Sequence, residues 1–128
     1  MKKYAKWKRV LVEGELGVIG TDSSKVYEQN FEINEKYLTN PKECVEYISK
    51  SQVDLLAVSI GNFHGMQASG ADPHLRLDIL KKIKEQVKDK FLVLHGGSGT
   101  PQEDIEGALK LGVVKININT ELRLAFTN

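Results

Sequence analysis

The chain contains a single cysteine, Cys44, so no disulfide can form within it, and a lone thiol suits a reducing compartment. No stretch approaches the roughly 18 apolar residues of a membrane span. The basic N-terminus is not followed by the apolar core of a secretory signal. The cytoplasm is the expected location. An excess of one charge is also missing, since 18 basic and 17 acidic residues cancel to +1. That balance provides no electrostatic footprint for nucleic acid or an anionic membrane. The one basic cluster, Lys2, Lys3, Lys6, Lys8 and Arg9 around Tyr4 and Trp7, has no second patch to extend it and reads as a solvated helix face. Nucleotide signatures are absent too. No P-loop Gly-Lys-Ser/Thr occurs, and Gln102 stands where the last glycine of a dinucleotide fingerprint would follow Gly97 and Gly99.

What remains is an ordinary globular composition, 41% hydrophobic and 27% charged over 128 residues. That is enough for one domain, residues 1–128, and too little for two. Four strand-like runs alternate with helix-like runs: Arg9–Leu16, Val53–Ile60, Phe91–Leu94 and Val113–Ile118. A polar stretch follows the first run as far as Asn40. Asn40-Pro41-Lys42-Glu43 and Thr100-Pro101-Gln102-Glu103 read as helix starts, the second as a full capping box. Between them, Ile79, Leu80, Ile83 and Val87 recur at helical spacing, and another helix is expected from near Thr120. The pattern predicts an α/β fold with a parallel sheet covered by helices. A doubly wound sheet and part of a (β/α)8 barrel both satisfy it. Polar residues crowd the carboxyl ends of all four strands, which favours the barrel, because a barrel draws its site from several strands around a ring.

Those strand ends carry the chemistry. His64 lies in Gly61-Asn62-Phe63-His64-Gly65 and His95 in Leu94-His95-Gly96-Gly97-Ser98-Gly99. Either histidine alone reads as structural. Two at the mouths of adjacent strands, each followed by glycine, read as metal ligands, the glycines admitting close approach of a bound group to the backbone. His74 reads as an exposed turn residue. The Gly96–Gly99 run, ahead of a capped helix, is a candidate anion site suited to a monophosphate. In the last strand Lys115, Asn117 and Asn119 share one face while Val114, Ile116 and Ile118 share the other. The asparagines are therefore expected to point into the site and the apolar set to pack under helices. Glu13 and Glu15 share one face of the first strand, and either a structural pairing with Lys115 or site chemistry would account for them.

At four strings the sequence resembles the class II, zinc-dependent fructose-bisphosphate and tagatose-bisphosphate aldolases: Val12-Glu13-Gly14-Glu15-Leu16-Gly17, Gly61–Gly65, Leu94–Gly99 and Lys115-Ile116-Asn117-Ile118-Asn119-Thr120. The resemblance runs from about residue 4 to the end of the chain. It implies the C-terminal half, strands five to eight, of a TIM barrel. It also implies reversible aldol cleavage of a ketose 1,6-bisphosphate to dihydroxyacetone phosphate and glyceraldehyde 3-phosphate. His64 and His95 would be two of three zinc ligands. Gly65, Gly96, Gly97 and Ser98 would bind the phosphate, and Asn117, Ile118, Asn119 and Thr120 the body and phosphate of the substrate. Asn117 and Glu15 would serve catalysis. The family's third zinc histidine and its proton-shuttling aspartate belong to an N-terminal half that these residues do not include. The family's mobile-loop glutamate falls on Ser23, beside Asp22. Four βα units cannot close a barrel, so the chain is expected to pair with an N-terminal half or with a second copy, and to lack turnover alone. The alternative is a non-catalytic sugar-phosphate-binding relic.

Overall fold

Short leucine- and valine-rich runs become strands where turn residues bound them, and helices follow where apolar residues recur every third or fourth position. The computed structural model describes residues 2–20, 25–29, 32–69 and 73–127. In chain order the elements are α1 (Lys2–Lys8), β1 (Glu13–Leu16), β2 (Val26–Tyr27), a 3-10 turn (Glu35–Tyr37), α2 (Pro41–Ser51), β3 (Leu55–Val58), β4 (Met66–Gln67), α3 (Leu77–Val87), β5 (Phe91–Leu94), α4 (Gln102–Lys110), β6 (Val113–Ile116) and α5 (Thr120–Thr127).

The four longer strands pair in the order β1-β3-β5-β6, every pairing parallel. Spatial order thus follows chain order without a reversal. A doubly wound sheet must reverse at its switch point, so the sheet is wound one way only, as the wall of a (β/α)8 barrel is. The chain forms the C-terminal half of such a barrel.

Alternation along the strands divides their side chains between two faces. Leu56, Val58, Leu92, Leu94 and Val113 join Cys44 of α2, Leu80, Ile83 and Val87 of α3 and Ala108 of α4 in one core between sheet and helices. Gly14 also faces the helices, where a Cβ would stand 2.5 Å from the Tyr47 hydroxyl. The other face carries the paired row Glu15–Ala57–Val93–Lys115. Pairing slips between Leu92 and Val93, which leaves Val114 about half exposed while Ile116 packs against the core. The expected apolar face of the last strand is therefore only partly covered. β6 is an edge strand, and Val114 and Ile118 lie outside the cover that α4 provides.

Several elements differ from expectation, β3 covering only Leu55–Val58 of the expected Val53–Ile60 and β6 stopping at Ile116. The first strand begins at Glu13, not Arg9, because Arg9 takes a left-handed φ of 55° and Val10 N–H closes back on Ala5 O at 3.0 Å. α4 lacks the capping box: Pro101 is its N-cap, without a side-chain bond. The acid of that turn that bonds is Asp104, which accepts Leu75 N–H at 2.8 Å from the loop before α3. The polar stretch before Asn40 holds β2, which pairs with β4 in a small parallel sheet of its own. At α2 the expected start is found, Asn40 capping Lys42 N–H at 3.0 Å ahead of Pro41.

Cys44 is fully buried, and burial pushes its thiol up to about 11, with Glu43 adding to the rise. The folded chain should therefore resist a thiol reagent at pH 8 and react with it fully in denaturing urea. Rapid labelling without denaturant would contradict this packing.

Candidate active site

Glu13 and Glu15 stand on β1 with Gly14 between them, so both carboxylates face the barrel interior. Glu13 gathers charge from across the sheet. Its Oε2 accepts from Lys115 Nζ at 2.7 Å, and its Oε1 lies 2.7 Å from His95 Nε2. His95 Nδ1 in turn lies 2.7 Å from Glu15 Oε2. Of the two readings open for this pair, Glu13 has the structural pairing with Lys115, and Glu15 contacts the imidazole. Burial by itself would raise the Glu13 pKa. Hydrogen bonds from Lys115 and His95 outweigh it and hold the carboxyl below the usual value of 4.5.

The histidines come from loops that run against each other. After β3 the chain turns through Gly61 (φ 105°) and Gly65 (φ 104°), with His64 between them. After β5, Gly96 at φ 62° passes so close to the loop carrying His64 that a Cβ would lie 2.0 Å from Phe63 O. Glycine is needed at this crossing for space as well as for backbone angle. The two imidazole centroids are 6.4 Å apart, their planes tilted by 38°.

One cavity opens beside them, lined by His64, Gly96, Ser98, Asn117, Asn119 and Thr120. It lies between the loop after β5 and the start of α5. Ser98 Oγ accepts from Asn119 N–H at 3.2 Å and from Glu121 N–H at 3.4 Å, while Glu121 Oε1 takes Gly99 N–H at 2.9 Å. Gly97 does not line the cavity, and its N–H donates to Asn117 O at 2.9 Å. It fastens the two loops together. Gly65 is buried and Ile118 is 45% exposed, and neither lines the cavity. Asp22 and Ser23 lie outside the described residues.

His74, read from sequence as an exposed turn, is exposed but holds Asp104 Oδ2 at 3.0 Å from Nδ1. Asp104 is buried, and its role went unseen in the sequence because an acid in the first turn of a helix ordinarily answers to the dipole. The sequence reading also missed Asn62. It is 5% exposed, its amide bonded to Val58, Ile60 and His95.

The donors can be tested against a catalytic zinc. A nitrogen bound at about 2.1 Å puts a ring centroid roughly 3.3 Å from the ion, so two tetrahedral imidazoles stand about 5.4 Å apart. The observed 6.4 Å is wider by an ångström-scale side-chain rotation, and one nitrogen of His95 would have to exchange its carboxylate. Among the described residues no group of three or more His, Cys, Asp or Glu forms a metal site. The pair would fit two positions of an ion whose other ligands came from groups outside the described residues.

A singly wound parallel sheet with imidazoles, asparagines and a glycine-lined cavity along its carboxyl rim is the active-site end of a (β/α)8 barrel. The family model described as class II fructose-bisphosphate aldolase matches residues 1–128. The chain belongs to that family. It is 40% identical over 117 residues to a sulfofructosephosphate aldolase of Alkalicoccus urumqiensis, covering 90% of this chain and 38% of that protein. With a fructose-bisphosphate aldolase of Geobacillus stearothermophilus it shares 38% over 125 residues, covering 98% and 41%. Among solved structures, the YdjI aldolase of Escherichia coli K12 superposes with a TM-score of 0.69 at 31% identity, over 98% of this chain and 38% of that one. A fructose-bisphosphate aldolase of Campylobacter jejuni gives 0.64 at 32%, over 92% and 33%. The chain thus spans about two fifths of the length of the curated relatives it matches.

Two predictions follow from this geometry. Folding lowers the Glu13 pKa, so the interaction stabilises the fold above 4.5 and is lost as pH falls through the folded value. Urea melts of Glu13→Gln should fall below wild type at pH 7, with the gap closing in acid; an unchanging gap would show that the charge is not the cause. Gly96→Ala forces the Phe63 carbonyl away, and a loss of about 1–3 kcal/mol is expected in the same melts.

Proposed function

We propose that this chain supplies the substrate-anchoring wall and two metal ligands of a zinc-dependent aldolase. The enzyme would cleave a ketose 1,6-bisphosphate, fructose or tagatose, to dihydroxyacetone phosphate and glyceraldehyde 3-phosphate. The observation that carries the reading is the single cavity in which His64 meets Gly96, Ser98, Asn117, Asn119 and Thr120. Zinc held by His64 and His95, with ligands from the remainder of the barrel, would stabilise negative charge developing on the ketose oxygen.

The chain's own residues do the rest of their share by position. The Gly96–Ser98 loop and the start of α5, at Asn119 and Thr120, offer the phosphate a small polar pocket. Anchoring this non-reacting end restrains the reacting carbons, and binding energy from it can be spent on orientation. Asn117 holds the substrate body with an amide that donates and accepts. Glu15, beside His95, places a carboxylate at the edge of the metal region, where it can accept a proton.

A second reading is favoured by one feature. The anion cavity is formed within this chain, while the metal pair is short of a ligand among the described residues. A sugar-phosphate binder without turnover would need only the former.

Reconstitution separates the two. The chain mixed with an N-terminal half of a family barrel should cleave fructose or tagatose 1,6-bisphosphate, lose activity to a chelator, and lose at least a hundredfold in kcat with His64→Ala or His95→Ala. The 128-residue chain alone should show no turnover. Chelator-insensitive cleavage would overturn the aldolase proposal. Binding of dihydroxyacetone phosphate with no cleavage in the reconstituted barrel would establish the second reading.

A further inference from the structure

We propose that Asn62 is a positioning residue that sets the separation of the His64 and His95 imidazoles by clamping the loop after β3 to the end of β5. The inference deepens the metal reading above and rests on it for its purpose, though not for its geometry.

The ladder between β3 and β5 pairs residues as far as Ala57 and Val93. Beyond that point each strand runs into the loop that carries its histidine. Asn62 sits at this divergence with all its side-chain bonds directed inward. Its Oδ1 accepts Ile60 N–H at 2.8 Å, closing the turn of its own loop. Its Nδ2 donates to Val58 O at 3.2 Å, on the strand it has just left, and to His95 O at 2.8 Å, across on the neighbouring one. The amide therefore joins three backbone points. One of them belongs to His95 itself, and His64 is two residues downstream. A buried amide with three partners is costly to disturb, because each group left unpaired loses its hydration as well.

The clamp has little slack. Gly96 already lies against the Phe63 carbonyl, with no space for a Cβ. The side-chain bridge from Asn62 and the backbone crossing at Gly96 thus brace the same pair of loops from adjacent positions. Aspartate at this position would keep the acceptor that closes the turn at Ile60 and lose the donor to Val58 and His95, which separates the Oδ1 turn from the Nδ2 bonds. A purely structural asparagine would cost stability when changed without altering the relation of the two rings.

The test uses the whole chain, with Zn2+ alone as probe, and compares wild type, Asn62→Asp, Asn62→Ala and Ile83→Val, a core change distant from both loops. Two quantities are read: Zn2+ affinity by calorimetry, and magnetisation transfer between the imidazole protons of His64 and His95 in the metal-free chain. The Asn62 variants should weaken Zn2+ binding about tenfold or more and lose the ring-to-ring transfer. Ile83→Val should lower urea stability while leaving affinity within twofold and the transfer intact. Unchanged ring transfer in a folded Asn62→Asp chain would overturn the proposal. Should the wild-type chain by itself bind no Zn2+, as a pair short of a ligand allows, the ring transfer decides the clamp and the metal reading passes to the reconstituted barrel. If neither Asn62 variant folds, the wild-type chain carries the test through the scalar coupling across the hydrogen bond from Asn62 Nδ2 to the His95 carbonyl. Its presence supports the clamp and its absence overturns it.

Discussion

Glu13 joins the first strand to strands it does not pair with. Lys115 lies on the opposite edge strand of the sheet and His95 at the end of the strand beside that edge, and one carboxylate takes both. A bond between the first and last strands of a four-stranded sheet is possible only if the sheet curls, bringing its edges toward each other across the concave face. The charges are partly withdrawn from water, and a lone carboxylate there would be unfavourable, so the pairing and the curvature support each other. His95 is oriented by the same arrangement, with carboxylates at both ring nitrogens.

From that curvature comes the shape of the rim. The loops after β3 and β5 are pressed into contact at Gly96 and bridged by Asn62, while the loop after β1 is tied down by Thr39. The Thr39 hydroxyl donates to Leu16 O and accepts Ser59 N–H, while its backbone N–H donates to Ser59 O at 2.7 Å. Gly17 permits this, at φ 103° with no room for a side chain against Thr39 and Ser59. The core on the other face is conventional, leucine and valine under three helices. The packed core therefore lies outside the sheet and the histidines and carboxylates inside it, the arrangement general to such barrels.

The half-barrel leaves β1 and β6 as edges, and edge strands invite pairing. The relatives it matches are about two and a half times as long.

Period and caps were legible in the residues themselves. Alternation placed Glu13 with Glu15, the spacing of Ile79, Leu80, Ile83 and Val87 marked α3, and Asn40-Pro41 marked the start of α2, because these are effects of near neighbours along the chain. The two histidine strings and the glycine run were likewise visible, as glycine and histidine at strand ends have few ordinary uses. Tertiary structure alone decided that Glu13 pairs with Lys115 from 102 residues away, that Asp104 turns from its helix to Leu75 and His74, and that Gly97 spends its N–H on Asn117. Each of those partners is chosen by which loops the curved sheet brings within about 3 Å, a distance that no local spacing encodes.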